Sequence, residues 1–255
     1  GNVSLILKPA RRLANSIFRE RGIPMLKQLM ATMAFSAGIA SAAMIHDYQF
    51  NGNLNDQLGG PSLIGLGGTL TASTYDFARG QGLALSNALP NPGNYTIAMN
   101  FAFSEIFVYD RILEFKNLQS DYGFYSLRGM PTFYPGYLLQ QELFFEDAMN
   151  EFVVTRDGTT AHVSAYLNGE LVISFNDVLG YTVFTGPGGV IHFFQDEIDG
   201  REGAAGSVDR IRIYDEALSS AQVQNLDAVP EPSTCATVAT ALAFLTWARS
   251  RRRRS

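Results

Sequence analysis

The sequence predicts an all-β protein in which two antiparallel sheets pack as a sandwich or close as a barrel. Three observations lead to this prediction. From about residue 45 to residue 226, apolar residues recur at every second position, which is the period of a strand that buries one face. Short stretches rich in Gly, Asn, Asp and Pro separate these segments. Only one segment carries the signals of a helix.

Residues 95–103 form the clearest predicted strand. Its alternate side chains are large and apolar, so one face of the strand is expected to lie in the core. The residues expected on that face are Tyr95, Ile97, Met99, Phe101 and Phe103. Eight further strands are predicted at residues 111–116, 122–127, 137–144, 151–156, 161–167, 170–175, 190–194 and 207–214.

Two hairpins and one helix complete the predicted secondary structure. Asp157-Gly158 and Asn168-Gly169 are typical of type I′ turns, which need positive φ at both central residues. A helix is predicted after Leu218, because Ser219 and Gln222 have the spacing of a capping box. The helix should end near Leu226 and close the domain.

Charge is distributed unevenly along the 255 residues. Residues 43–228 carry 8 Lys/Arg against 22 Asp/Glu, a net charge of −14, whereas both ends of the chain are basic. The central region lacks a basic patch, which argues against binding to nucleic acid. The single Cys, Cys235, lies near the C-terminus, so the central region can form neither a disulfide nor a thiolate metal site.

The N-terminal part has the pattern of a secretory signal peptide. Residues 25–42 begin with Met25-Leu-Lys27, continue as an apolar stretch and close on the small residues Ala40-Ser41-Ala42. Cleavage after Ala42 would leave Ala43 as the first residue of a domain at residues 43–228. A buried helix is the alternative. Residues 1–24 are basic and represent either an extended start or a long basic region before the signal peptide.

Three unlike elements follow one another at the C-terminus, in residues 229–255. The sequence Val229-Pro-Glu-Pro-Ser-Thr234 is followed by 14 mostly apolar residues and then by Arg251–Arg254. As a helix, the apolar stretch would reach about 21 Å, which is less than the roughly 30 Å hydrocarbon core of a membrane. It is therefore a marginal membrane span. The arginines should stay on the cytoplasmic side, which leaves the residues before Pro230 outside.

This C-terminal pattern closely resembles the PEP-CTERM sorting signal of Gram-negative bacteria. The residues that carry the resemblance are Val229, Pro230, Glu231, Pro232, Ser233, Thr234, Arg251, Arg252, Arg253 and Arg254. The resemblance implies export through the secretion translocon and a transient stay in the inner membrane. It further implies removal of the tail by exosortase, a membrane protease-transpeptidase, and delivery to the outer surface or an exopolysaccharide matrix. An anchor that is never cut is the alternative.

The central region resembles a laminin G-like domain of the concanavalin A type. Three segments carry this resemblance: Tyr48–Asp56, Val163–Val172, and Gly206–Tyr214 followed by Ala217-Leu-Ser219. The resemblance implies a two-sheet antiparallel jelly roll. The sequence departs from the family pattern near residue 151, where a Trp is often found and Asn150 and Phe152 stand instead.

The same resemblance implies that calcium sometimes binds where the early and late Asp-bearing segments meet. Asp56 and Asp209 are the matching positions. Independently of the resemblance, Asp196 and Glu202 lie in an acidic stretch and could supply a second set of oxygen ligands; a solvated loop is the alternative. The alternative for Asp209 is a structural role, either capping a turn or pairing with Arg210 or Arg212.

A catalytic alternative rests on three acidic residues. Glu197, Asp199 and Glu202 fit an E-x-D-x-x-E pattern that resembles laminarinase-type glycosidases, which also have a jelly-roll fold. Three observations oppose catalysis: few domain residues follow Glu202, the domain has no Trp to form a sugar platform, and the surrounding glycines are typical of a loop.

The expected function is therefore that of a non-catalytic, surface-sorted binding or structural module of the cell envelope or exopolysaccharide matrix. Glycan binding is favoured by analogy of fold. Phe133, Tyr134 and Tyr137 lie among Pro and Gly residues, so a loop position could expose them to a ligand, although most aromatic residues are expected to fill the core. The alternatives are a glycoside hydrolase and a protein-binding adhesin.

Overall fold

The computed structural model describes residues 42–196 and 201–226. They form fifteen strands and one short helix. The strands are β1 (Met44–Tyr48), β2 (Ile64–Leu66), β3 (Thr69–Leu70), β4 (Tyr75–Phe77), β5 (Gly82–Leu85), β6 (Tyr95–Phe103), β7 (Asp110–Glu114), β8 (Gly123–Leu127), β9 (Met130–Tyr134), β10 (Tyr137–Leu138), β11 (Asn150–Arg156), β12 (His162–Leu167), β13 (Glu170–Asn176), β14 (Ile191–Phe193) and β15 (Gly206–Tyr214). The helix is α1 (Ser220–Val223).

The strands form two antiparallel sheets packed as a jelly-roll sandwich, as the sequence predicts. Sheet A has the order β13-β12-β11-β6-β15-β4-β3, and β1 also pairs with β15. Sheet B has the order β10-β9-β8-β7-β14-β5-β2. The first and last strands of the domain, β1 and β15, therefore lie side by side although they are far apart in the sequence.

The core lies between the sheets and confirms the alternation predicted for β6. Tyr95, Ile97, Met99, Phe101 and Phe103 are all 0% exposed. Phe101 packs against the Phe103, Phe144 and Phe194 rings, with centroids 5.0, 6.0 and 5.1 Å away. Burial of a side chain of this size contributes about 1.5–3 kcal/mol. Most of the aromatic residues accordingly serve the core.

Two strand predictions are corrected near residue 135. The strand predicted at residues 137–144 ends at Leu138, and the chain continues as a loop. The neighbouring strand β9 was not predicted, because its sequence contains Pro131, which cannot donate to a strand ladder. In β9, Pro131 lies opposite Ser126 of β8, and its carbonyl oxygen accepts the Leu139 amide at 3.0 Å.

One of the two hairpin predictions is confirmed. Asn168 and Gly169 have φ of 52° and 82°, as a type I′ turn requires. The prediction for Asp157-Gly158 is wrong, because five residues connect β11 to β12 and neither Asp157 nor Gly158 has positive φ. Instead, the Asp157 carboxylate accepts hydrogen bonds from the amides of Thr159 and Thr160, which stabilises the longer loop.

Helix α1 has the predicted capping box between Ser219 and Gln222. The helix packs on the face of sheet A that points away from the main core. A second apolar cluster forms there from Ala98, Val153, Tyr166, Tyr214, Leu218, Val223 and Leu226, with Ala42 and Met44 packed against it. Both ends of the described chain therefore lie on the outer face of sheet A.

Within residues 42–196 and 201–226, no helix is long and apolar enough to cross a membrane. The signal peptide predicted at residues 25–42 and the sorting signal predicted at residues 229–255 lie outside the described residues, apart from Ala42. Both stay predictions.

Candidate functional site

An apolar groove opens at one end of the sandwich, where the loop after β6 meets the loop before β11. We call it the rim groove. Its volume is about 630 Å³, and its lining consists of Ile106, Phe107, Val108, Arg128, Glu142, Phe144, Phe145 and Glu146. Phe145 is 58% exposed and Val108 is 49% exposed. Large apolar side chains thus face solvent beside charged groups.

Backbone hydrogen bonds hold the groove in shape. The amides of Leu143 and Phe144 both donate to the carbonyl oxygen of Gly129, at 2.8 and 2.9 Å. Gly129 has φ of +81°, and a Cβ there would lie 2.8 Å from the Phe144 carbonyl oxygen, so the turn between β8 and β9 requires glycine. The Phe144 ring enters the core, whereas Phe145 is exposed.

The opposite wall is fixed by acidic side chains. The Phe107 amide donates to the buried Asp110 carboxylate at 2.9 Å, and the Ile106 amide donates to Glu146 at 3.2 Å. The Arg79 guanidinium lies 3.9 Å from the centroid of the Phe107 ring. Burial raises the pKa of Asp110 to about 6, although the hydrogen bond from Phe107 and the charge of Arg79 oppose the shift.

A polar depression adjoins the rim groove on sheet A. Its volume is about 510 Å³, and its lining consists of Thr69, Asp76, Phe77, Ala78, Gln81, Ala102, Ser104, Asp147, Gly206 and Ser207. Ser104 and Asp147 follow Phe103 and Glu146, which are joined by a bridge between their two segments. The depression therefore continues the rim groove with hydroxyl, amide and carboxylate groups, which can bond to the hydroxyls of a ligand.

The predicted aromatic residues divide into two kinds. Phe133 is not in a loop: it lies in β9, is 0% exposed and stacks on Phe175 with centroids 4.7 Å apart. Tyr134 and Tyr137 are 48% and 41% exposed. Tyr137 also stacks on Phe175, at 4.3 Å, so its ring covers the open edge between the sheets. Only Tyr134 and Tyr137 of this set present rings to solvent.

Asp56 has a structural role that accounts for both of its oxygens. Its carboxylate interacts with His46 Nδ1 at 2.7 Å and accepts the amides of Asp47, Leu58 and Gly60. Burial alone would raise the pKa of Asp56, but these hydrogen bonds outweigh burial and lower it. The carboxylate closes the turn after β1, and this donor set does not fit an exposed calcium ion.

Asp196 forms a buried ion pair with Arg111 on sheet B. Arg111 Nη2 lies 2.7 Å from Asp196 Oδ1, and both side chains are almost completely buried. The guanidinium also lies 4.2 Å from the centroid of the Tyr125 ring. The second oxygen of Asp196 accepts the Glu202 amide at 2.9 Å. These contacts join the chain before β15 to sheet B.

Glu202 lies beside this ion pair and is half-buried. Burial raises the pKa of its carboxyl, and the charge of Asp196 raises it further, although Arg111 opposes the shift. Its partners in the catalytic alternative, Glu197 and Asp199, lie outside the described residues. The geometry of that acidic trio is therefore not part of the described structure.

Asp209 is the predicted calcium ligand that lines a surface depression. The register between β15 and β6 shifts between Val208 and Arg210, so Asp209 is the extra residue of a β-bulge. The depression has a volume of about 280 Å³ and is lined by Gln49, Asn51, Ser73, Asn100, Asp209 and Arg210. The early and late segments do meet here, but Asn51 rather than Asp56 lines the depression together with Asp209.

Calcium binding stays a prediction, and its predicted location is now this depression. Among the described residues, no group of three or more His, Cys, Asp or Glu side chains could hold a metal, so amide and carbonyl oxygens would have to complete the shell. Millimolar calcium is expected to raise the melting temperature by several degrees, and Asp209→Asn is expected to abolish the shift. Magnesium serves as the control ion. An equal shift in the variant would contradict the site.

The sequence pattern did not identify the rim groove. Its walls come from three separate loops, and the spacing of Phe107, Arg128 and Phe145 has no period. One signal was present: Phe144-Phe145 places two large apolar residues in succession, so a two-fold alternation cannot bury both.

Together, the fold and the groove define a class of protein: an antiparallel β-sandwich domain with an exposed apolar groove at its rim. A laminin G family profile, described as the concanavalin A-like lectin/glucanases superfamily, matches residues 79–224, more than half of the chain. The chain belongs to this superfamily. No curated protein matches the chain.

Several solved structures share the fold. One is domain 4 of AbnA, a GH43 extracellular arabinanase from Geobacillus stearothermophilus, in complex with arabinotriose. Its sequence is 20% identical to this chain and the TM-score is 0.50. The match covers 72% of this chain and 98% of that domain. Another is Trypanosoma rangeli sialidase in complex with 2,3-difluorosialic acid, whose sequence is 12% identical to this chain, with a TM-score of 0.59. The match covers 73% of this chain and 33% of the sialidase. At these identities the similarity concerns the fold alone.

Proposed function

We propose that this protein is an exported, non-catalytic module that binds glycan chains through the rim groove. The observation that carries the proposal is the exposed Phe145 ring in a groove of about 630 Å³ that also contains Arg128 and Glu142. A groove of this size is within the range of small-molecule sites. An aromatic face can cover the apolar side of a sugar ring, while charged groups bond to its hydroxyls.

The charge of the surface favours neutral or amino sugars over acidic sugars. The linings of the rim groove and the adjoining depression contain Glu142, Glu146, Asp76 and Asp147 against Arg128, and Arg79 adds a second cation beside the Phe107 ring. The whole central region is strongly acidic as well. A sialylated or uronic acid chain would therefore approach against repulsion, whereas an amino sugar would be attracted.

Two acidic residues outside the catalytic trio, Asp196 and Asp56, have structural partners, whereas Glu197 and Asp199 of the trio lie outside the described residues. Asp196 is committed to the ion pair with Arg111, and Asp56 is committed to four hydrogen bonds. Retaining glycoside hydrolysis needs two carboxyl groups about 5–5.5 Å apart on either side of a sugar. The fold is shared by binding domains and hydrolases, and the arabinotriose in the AbnA structure adds support for a sugar ligand by analogy.

The proposed location follows from the two ends of the sequence. The signal peptide would direct the chain through the secretion translocon, and the tail would hold it in the inner membrane until exosortase removes the tail. The module would then act at the outer surface or in the exopolysaccharide matrix, where glycan chains are abundant. A protein-binding adhesin is the alternative partner assignment.

Phe145→Ala is expected to weaken glycan binding by about tenfold or more, because the variant loses its exposed stacking surface. A glycan array followed by calorimetry with neutral, amino and sialylated oligosaccharides would measure this effect. The wild type is expected to prefer amino or neutral sugars and to release no reducing ends from them.

Two variants serve as comparisons. Leu179→Ala removes an even more exposed apolar side chain, 71% exposed, that does not line the groove, and should leave affinity unchanged. Tyr134→Ala tests the competing aromatic surface. Loss of binding in Tyr134→Ala but not in Phe145→Ala would reject the rim groove, and binding to cells that free sugars do not compete would favour an adhesin.

A further inference from the structure

We infer that the mature protein begins at Ala43 and that its new α-ammonium group forms an ion pair with Asp215. The inference rests on the export that is part of the proposed function, but it concerns a different part of the molecule. The backbone nitrogen of Ala43 lies 2.9 Å from Asp215 Oδ1, which accepts its hydrogen bond. The Asp215 amide in turn donates to the Ala43 carbonyl oxygen at 3.2 Å.

This reciprocal contact lies at the end of a strand pair. Met44 of β1 is opposite Tyr214 of β15, so Ala43 and Asp215 are the residues immediately beyond the pairing. Tyr214 is 7% exposed and packs in the second apolar cluster. The Asp215 carbonyl oxygen accepts a hydrogen bond from Asn94 Nδ2 at 3.1 Å. The carboxylate is therefore presented by a fixed backbone rather than by a mobile end.

The boundary of the compact domain agrees with the cleavage position. The compact unit that contains all described residues begins at Ala42, one residue before the proposed new terminus. The small residues Ala40 and Ala42 occupy the positions that a signal peptidase requires. Ala43 itself is exposed, so the loss of the preceding residues leaves its contact with Asp215 in place.

Cleavage changes the chemistry of this contact without moving it. Hydrolysis of the Ala42–Ala43 amide adds one water, leaving a carboxylate on Ala42 and an amino group on Ala43. The amino group is mostly protonated at neutral pH. A neutral N–H donor thus becomes a cationic donor at the same atom, and a charge-assisted hydrogen bond is roughly twice as strong as a neutral one. Asp215 acts as the counter-ion that fixes the mature N-terminus.

To test the inference, the full chain is expressed in a bacterium with a secretion pathway, and the N-terminal sequence of the exported protein is determined. The expected sequence is Ala43-Met44-Ile45. The reactivity of the α-amino group toward an amine-reactive ester is then measured at neutral pH. Asp215→Asn is expected to react about threefold faster at Ala43, because the protonated amine loses its carboxylate partner.

Glu216→Gln is the matched control, because it removes an adjacent exposed negative charge and should leave the labelling rate at the wild-type value. An N-terminus other than Ala43 overturns the processing site. Equal labelling of wild type, Asp215→Asn and Glu216→Gln overturns the ion pair. Glycan binding is measured on the same preparations, so a failure of the proposed function is seen separately from a failure of the ion pair.

Discussion

Asp196→Ala is expected to lower the free energy of unfolding by about 3–5 kcal/mol, because it leaves the buried Arg111 guanidinium without its principal partner. The Arg111 side chain is completely buried, and its other ion-pair partner among the described residues, Asp121, is 3.9 Å away and half exposed. The substitution also removes the acceptor for the Glu202 amide. Urea unfolding, followed by the CD of the sheets, would measure the loss.

Three comparisons make this prediction specific. Asp121→Ala removes the more distant carboxylate and should cost less than about 1 kcal/mol. The double variant Arg111→Met/Asp196→Leu replaces the pair with apolar side chains and should recover much of the lost stability. If Asp196 were instead a calcium ligand, the single variant would be destabilised only when calcium is present. A loss below about 1 kcal/mol in all conditions would contradict the structural role.

Asp110→Asn is expected to stabilise the protein at pH 7.5 by about 1–3 kcal/mol and to have no stabilising effect below about pH 4. Burial raises the pKa of Asp110 from 3.8 to about 6 in the folded protein. The folded state therefore holds this proton more tightly than the unfolded state. The contribution of Asp110 to stability is largest below its unfolded pKa and is lost as the pH rises through about 6.

The asparagine variant removes the charge but keeps an oxygen acceptor for the Phe107 amide. Urea unfolding at several pH values between 4 and 7.5 would show the difference between variant and wild type growing with pH. Glu170→Gln, which changes an exposed carboxylate on β13, should show no such trend. A difference that is constant across this range, or that shrinks as the pH rises, would contradict the assignment.

The elements that the sequence predicts well are those whose signal is local. The alternation in β6, the Asn168-Gly169 turn and the capping box of Ser219 each depend on residues a few positions apart. Local physics therefore favours them without reference to distant residues. The prediction failed at Asp157-Gly158, where the turn signal was present but the strand β12 begins three residues later than a two-residue turn requires.

The candidate site could not be predicted in the same way, because its contacts join residues that are distant in the sequence. In the rim groove, the Ile106 amide and the Glu146 carboxylate are 40 positions apart. The buried ion pair shows the same effect, because Arg111 and Asp196 are 85 positions apart and the packing of β7 beside β14 brings their segments together. At Asp56, a local motif was present but the tertiary structure gave the residue a different role. Its place in a family motif suggested a metal ligand, whereas the folded turn supplies hydrogen bonds to both of its oxygens.

The amino-acid sequence alone determined the fold class, the membership of a β-sandwich family and the acidic character of the central region. It also led to the expectation of export. These conclusions rest on periodicity, composition and linear motifs, which can be interpreted without a structure. Only the tertiary structure decided which aromatic rings are exposed, where the rim groove opens and what faces Ala43. Those features depend on loops meeting across the sandwich. The physical reason is that a side chain's environment is set by its neighbours in space, and most of the neighbours that matter here are more than forty residues away along the chain.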